Sequence, residues 1–241
     1  MTTFWVPLQR DVISVQGADA RTYLHSQLSQ DIASMRVGET RQSLLLQPTG
    51  KICGILRVTC LDGETFLLDC DSGTGEAALV RLNRFKIRVK AELSLSQETW
   101  TAVRNVITPV DGAIPAWNSD GRAWDIRGEW SDTSIPQGTE DDYETARIRS
   151  SWPVMNIDVT ESSIPAECGL TDIAVSFSKG CYPGQELVER MDSRAAVAPR
   201  QLRYTTVKEG TLVGQEVRDE ERIGVVTSVC GCHALALFRR A

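Results

Sequence analysis

Apolar and polar positions alternate over many short stretches of this chain, and only a few stretches carry helical spacing. Residues 3–8 and 12–16 predict short strands joined by the polar Gln9-Arg10-Asp11. Gly17 opens a helix over residues 18–28, with Ala20, Leu24 and Leu28 on one face and Asp19 in its first turn. Residues 43–47 predict a buried strand, and Pro48-Thr49-Gly50-Lys51 a turn. Strands over 52–60 and 64–69 flank Leu61-Asp62-Gly63, a hairpin pattern. A helix over 74–83 follows. From Arg84 the period changes to two: Phe85, Ile87 and Val89 alternate with Arg84, Lys86, Arg88 and Lys90. This predicts a strand with one apolar and one basic face. A solvated basic face is the favoured reading, because charge runs sit in water. A strip for a polyanion, such as a polyglutamate tail or RNA, is the other.

Residues 100–107 and 122–127 predict further strands, and 131–138 a loop. Thr139-Glu140-Asp141-Asp142 is an acidic helix start, and that helix runs to about Ser150 before Trp152-Pro153 ends it. Residues 192–199 suggest a linker. Strands over 202–207, 215–218, 223–229 and 234–238 make a short all-β tail. Many strands with a few helices, and no regular βαβ spacing, indicate an α+β fold with antiparallel sheets.

The stretch with the most chemistry is Lys179-Gly180-Cys181-Tyr182-Pro183-Gly184-Gln185-Glu186, ahead of the helical Leu187-Val188-Glu189-Arg190-Met191. Pro183 suits a first helical turn. A helix start is a seat for an anionic group or a thiolate, and Lys179 beside Cys181 adds to that preference. Gln185 and Glu186 add hydrogen-bonding groups to the same space. The alternative is a glycine-rich turn around a packed cysteine, since free cysteine is usually buried.

The 241 residues suffice for one large domain or two small ones. A net charge of −6 argues against general nucleic-acid or anionic-membrane binding. No apolar run reaches membrane-spanning length, and the N-terminal residues lack a signal-peptide pattern, so the cytoplasm is the expected location. Seven cysteines at irregular spacing fit reduced thiols rather than a disulfide framework. Cys230-Gly231-Cys232-His233 resembles a metal cluster in composition, but a turn between two strands is the favoured reading and no metal site is assigned. His25, within the first helix, reads as a surface or packing residue.

The Lys179–Glu186 stretch matches at every specified position the signature K-G-C-[FY]-x-G-Q-E, with Val188 and Arg190 matching beyond it. It resembles the YgfZ-type folate-binding proteins, a branch of the superfamily that contains the aminomethyltransferase of the glycine cleavage system. Residues 17–58 resemble that superfamily more loosely, through Tyr23-Leu24-His25-Ser26-Gln27-Leu28, Gln30-Asp31, Gly38, Leu44-Leu45-Leu46 and Gly50-Lys51. Gln27 and Asp31 face a ligand cavity or serve the helix end, with the structural role favoured. Ala146-Arg147 with Pro153, Ile164-Pro165-Ala166-Glu167-Cys168-Gly169-Leu170 and Gly224-Val225-Val226-Thr227-Ser228 extend the likeness. Two positions depart from it. Arg149 stands where the aminomethyltransferases carry a pterin-holding Glu, and Ser151 replaces a family glycine. The carboxylate duty toward the pterin would pass to Glu186 or Glu167.

The resemblance implies the aminomethyltransferase-like arrangement: antiparallel sheets with flanking helices around a central cavity that takes tetrahydrofolate, and a small C-terminal β domain. It implies a folate-binding domain of two subdomains over residues 1–195 and a trimmed barrel-like domain over 196–241. It implies Cys181 as a functional thiol, and Lys179, Gly180, Tyr182, Gly184, Gln185, Glu186, Arg190 and Arg147 as the tetrahydrofolate-binding set. Two functions follow. One is a tetrahydrofolate-binding auxiliary protein for iron–sulfur enzymes, tRNA-modifying ones among them, with iron–sulfur proteins as partners. The other is a folate-dependent one-carbon transferase or demethylase, for which Asp71, with Asp69 beside it, is the acid–base candidate. A binding module without a small ligand is the weakest reading.

Overall fold

The computed structural model describes residues 2–108, 110–117, 121–130, 134–193, 198–219 and 222–240. In chain order its elements are β1 Phe4–Gln16, α1 Ala20–Gln27, β2 Thr40–Leu46, β3 Ile52–Cys60, β4 Thr65–Asp71, α2 Gly75–Arg84, β5 Glu92–Arg104, β6 Ile114–Pro115 and β7 Ala123–Arg127. Then come α3 Glu140–Arg149, α4 Pro165–Cys168, α5 Thr171–Ala174, α6 Gln185–Ser193, β8 Arg200–Thr206, β9 Glu216–Asp219, β10 Arg222–Cys230 and β11 His233–Arg239. The chain forms two compact units. The signature unit comprises Arg10–Gln97 and Val159–Ala198; the terminal unit comprises Met1–Gln9, Glu98–Asp158 and Pro199–Ala241. The expected domain boundary at 195/196 and the middle of the expected linker lie outside the described residues, as do residues 131–133 of the expected loop.

In the signature unit the strand order is β2-β3-β4-β1, each neighbour antiparallel. Ile13, Leu24, Leu56, Phe66, Leu68 and Leu82 centre a core that joins the sheet to α1 and α2. The polar break expected at residues 9–11 does not occur. Arg10 pairs with Asp71 and Asp11 with Cys70 in an unbroken register down to Gln16 and Thr65. Both charges are satisfied by partners distant in sequence. Arg10 reaches Asp69 at 2.5 Å and Asp71 at 3.2 Å, while the Asp11 carboxylate accepts from Gly73 N and Gly75 N, both at 2.9 Å, at the start of α2. An anion at a helix N-terminus answers its free N–H groups.

The basic strand expected at 84–90 is not a strand either. After α2 the backbone turns, with Phe85 N–H bonded to Leu82 O, and Arg88 takes a left-handed φ of 57° that interrupts any extended run. Phe85 lies under the Arg81 guanidinium at 4.0 Å, Lys86 donates to Ala91 O, and Ile87 is 76% exposed rather than buried. Asp19 holds the end of this segment through Lys90 N–H. The strand begins at Glu92, where Leu93 and Leu95 turn toward the core.

In the terminal unit β5, β7 and β6 are consecutive antiparallel neighbours, and β8-β11-β10-β9 forms a separate four-stranded sheet. The architecture is thus the expected α+β class with a small C-terminal β sheet. The α3 start is a capping box: Thr139 Oγ1 accepts from Asp142 N, and Asp142 accepts from Thr139 N. Ile148 packs with Leu202 and Leu235. Ser151, at the family's glycine position, adopts φ 53° just past the helix, the conformation a glycine takes most easily.

Candidate functional site

The signature stretch leaves α5, runs as a loop and turns into α6. Pro183 lies in the turn before α6 and not in its first turn, so the expected proline position is corrected by two residues. Gly184 makes the turn, with φ 86°. A side-chain carbon there would sit 2.6 Å from Gln47 O and 2.9 Å from Gly50 Cα. Gly50, with φ 81°, is pressed in turn against Leu187, 2.6 Å from its own absent side chain. The predicted 48–51 turn and the signature are therefore one interlocked unit. Gln185 closes it locally, accepting from Tyr182 N at 3.3 Å and donating to Glu189 at 2.5 Å.

Lys179 fastens the loop from the other side. Its ammonium donates to the carbonyls of His25, Leu28 and Gln30, at and just past the C-terminal end of α1. Those carbonyls have no partners within a helix and favour a cation. The ammonium also stands 5.0 Å from the centre of the Tyr182 ring. Burial lowers the Lys179 pKa from 10.5 to about 8, opposed by Asp31. Between those two values the folded chain has released this proton and the unfolded chain still holds it, so this group's contribution to stability rises with pH there. Below about 8 both states are protonated and the slope vanishes. The stability difference between wild type and Lys179→Met is expected to grow from about pH 8 to about pH 10, read by urea unfolding. A flat difference would show that the ammonium is not buried against α1.

Cys181 is exposed, and none of the seven cysteines is in a disulfide. Tyr182 is only 6% exposed, its hydroxyl buried without a hydrogen-bond partner, and burial, then Glu189, pushes the phenol up to about 12. Gly180 is open, while Glu186 and Arg190 are exposed on α6. His25, read in sequence as a surface or packing residue, fastens the turn after α1. Its Nδ1 accepts from Ile32 N at 3.3 Å and Ala33 N at 3.2 Å, and Asp31 lies 3.2 Å from the same nitrogen. Its pKa is lowered by burial first and then by Lys179, with Asp31 opposing. The two amides favour the tautomer with its proton on Nε2.

Two expected site residues do not join this cluster. Asp71 is salt-bridged to Arg10, and the neighbouring Asp69, 1% exposed, is held by both Arg10 and Arg57. Neither carboxylate stands beside Cys181. Arg147 belongs to the terminal unit and is 2% exposed. Its five N–H groups are committed to Glu144, Trp152 O, Asp158 and Ser228. With no donor left for a ligand, Arg147 is a structural residue, which corrects its assignment to the folate set. Asp158 also accepts from Thr227 and Ser228, so the A-R and G-x-V-T-S segments meet in one buried network. Glu167 is buried and accepts from Ile164 N at 3.3 Å. Asp31 accepts from Ala33 N and Ser34 N, the structural role favoured for it.

Cys230-Gly231-Cys232-His233 is the turn between β10 and β11, where Cys230 accepts from Thr145 and His233 meets the Tyr204 hydroxyl at 2.7 Å. Among the described residues no group of three or more His, Cys, Asp or Glu could hold a metal ion. No helix among them is long and apolar enough to cross a membrane.

The fold is that of the aminomethyltransferases. The chain superposes on the glycine cleavage system aminomethyltransferase T of Bartonella henselae with a TM-score of 0.77, covering 99% of this chain and 79% of that one at 18% identity. By sequence it is 30% identical over 204 residues to an uncharacterized protein of Haemophilus influenzae, covering 81% of this chain and 71% of that protein. It is 25% identical to the Pyricularia oryzae homolog of the mitochondrial iron–sulfur cluster assembly factor IBA57, covering 90% of this chain and 64% of that protein. It is 22% identical to the tRNA-modifying protein YgfZ of Colwellia psychrerythraea, covering 74% and 64%. The chain thus spans slightly less than two thirds of these last two relatives. No protein-family model matches it. With its signature, its fold and these relatives, the chain belongs to the YgfZ-type family of the aminomethyltransferase superfamily.

Proposed function

We propose that this chain is a tetrahydrofolate-binding auxiliary protein that supports assembly or repair of iron–sulfur enzymes, tRNA-modifying ones included, and that it acts in the cytoplasm. The observation that carries this reading is the signature loop itself: an exposed Cys181 thiol on a segment clamped at both ends, by Lys179 on α1 and by Gly184 on the 48–51 turn. The names of the IBA57 and YgfZ relatives support the iron–sulfur and tRNA side of it. The aminomethyltransferase fold supports the folate side.

The residues present fit a folate. The Tyr182 hydroxyl is an orphaned buried polar atom, and Gly180 leaves bare backbone beside the thiol. Glu186 offers a carboxylate for the paired N–H groups of a pterin, and Arg190 a guanidinium for the carboxylates of the tail. Tetrahydrofolate, when bound, supplies a carrier for one-carbon units. The transferase reading needs a free acid–base carboxylate near that carrier. Asp69 and Asp71 are both held by arginines, which favours the auxiliary role.

Cells lacking this protein, complemented with wild type or Cys181→Ser, test the proposal through the activity of an iron–sulfur tRNA-modifying enzyme. The Ser variant, altered at an exposed position, is expected to stay within about 0.5 kcal/mol of wild type in stability and yet to fail in complementation. Full complementation by the Ser variant would remove the thiol from the mechanism.

A further inference from the structure

The stretch from the middle of α2 to the start of β5 is basic in an acidic chain. Residues 77–91 hold five basic side chains and no acidic one, while the whole chain has a net charge of −6. Two of the five are used within the fold. Arg81 lies over Phe85 and bonds to Leu46 O, and Lys86 donates to Ala91 O. Arg84, Arg88 and Lys90 are exposed, and among the described residues their side chains make no hydrogen bond or ion pair.

Exposed cations alone are a solvated face. What sets this stretch apart is the apolar side chains exposed among them. Ile87, between Lys86 and Arg88, is 76% exposed, and Val80, one helical turn before Arg84 on the same face of α2, is 58% exposed. The core-facing side of α2 is already supplied by Ala78 and Leu82, which pack in the centre of the signature unit. Past the helix the chain turns, with Ile87 outside and Arg88 at φ 57°. Val80, Arg84, Ile87 and Arg88 form one surface, in which two apolar side chains stand among unpaired guanidinium groups.

We propose that this surface docks a partner protein through an acidic segment that carries apolar side chains. Carboxylates of the partner meet Arg84, Arg88 and Lys90, and its apolar side chains cover Val80 and Ile87. The reading deepens the functional proposal above by naming the chemistry of the partner, and it rests on the auxiliary role. Three anionic occupants differ in what they require. RNA is held through stacking on exposed aromatic rings. The one ring in this stretch, Phe85, is half-buried and faces Arg81. An anionic bilayer takes a helix that offers it a broad apolar face, and α2 turns that face to the core. A protein supplies carboxylates and apolar cover together, and arginine ranks among the residues that contribute most at such interfaces.

The test compares binding of a labelled synthetic peptide of interspersed Glu and Leu with binding of bulk tRNA and of phosphatidylcholine–phosphatidylglycerol vesicles. The peptide is expected to bind, and to bind less tightly as salt rises. Arg84→Ser combined with Arg88→Asn is expected to weaken it about tenfold. Asparagine is chosen at 88 because it tolerates a left-handed φ. Ile87→Ser is expected to weaken it about threefold with the salt dependence unchanged, since it removes apolar cover and no charge. Lys208→Ser with Arg218→Ser removes the same charge from exposed positions of the terminal unit, and is expected to leave the affinity within about twofold of wild type. All these positions are exposed, so the melting temperature should not change. Absence of peptide binding, or binding that the Arg84, Arg88 and Ile87 variants leave intact, would overturn the proposal. Tighter binding of tRNA or vesicles, indifferent to Ile87→Ser, would overturn it as well. No readout here uses folate, Cys181 or iron–sulfur activity, so failure of this docking surface is distinguishable from failure of the auxiliary role.

Discussion

Gly184→Ala is expected to destabilise the protein by roughly 3 kcal/mol and to loosen α6 from the 48–51 turn. Two costs combine. A residue with a side chain at φ 86° carries backbone strain on the order of 1–3 kcal/mol, and forcing a methyl group to 2.6 Å from Gln47 O adds overpacking of similar size. Backbone on the receiving side cannot rotate away as a side chain could. Urea unfolding gives the stability, and limited proteolysis near α6 gives the loosening. Gly180→Ala, four residues earlier, is the control, with an expected change within about 0.5 kcal/mol. Equal stability of the two variants would mean that the signature is not wedged against the turn as described.

Asp158→Ala is expected to cost about 3–5 kcal/mol, the range for removing one partner of a buried ion pair. Asp158 accepts from Arg147 at 2.8 Å, from Val154 N at 3.0 Å, and from the hydroxyls of Thr227 and Ser228. Its loss leaves Arg147 with Glu144 as its one carboxylate partner in this network and strips an acceptor from three buried or half-buried donors. Chemical denaturation of Asp158→Ala, Arg147→Met and the double variant provides the cycle. The double variant should cost less than the sum of the singles, since removing both charges leaves neither one stranded. Strict additivity would contradict a shared network.

Much of this was legible in the sequence because it depends on local order. β3 runs over the expected residues 52–60, and the Leu61-Asp62-Gly63 turn follows from its own residue types. The α3 start follows from Thr139 and Asp142, three residues apart. What failed depends on partners far along the chain. Arg10 and Asp11 look like a polar break until Asp69, Asp71 and the α2 start satisfy them, about sixty residues on. The alternation at 84–90 has the right period, but Phe85 is claimed by Arg81 and Arg88 turns left-handed. The signature named Lys179 and Cys181 as neighbours in sequence. Only the structure shows the lysine reaching back about 150 residues to α1 while the thiol faces out. His25 lies in the looser Tyr23–Leu28 likeness, but its contacts with the amides of Ile32 and Ala33 come from the fold of the segment after α1.

The central claim is that this chain binds tetrahydrofolate, and anaerobic thermal unfolding with and without the ligand tests it most directly. At a hundred times its dissociation constant a ligand of the native state stabilises by about 2.7 kcal/mol. For a chain of this length that corresponds to a rise in Tm of roughly 5–10 °C. A rise of that order, saturating with concentration, is the expected result. A Tm unmoved at saturating tetrahydrofolate would contradict the folate reading and leave the exposed thiol of Cys181 on a binding module without a small ligand.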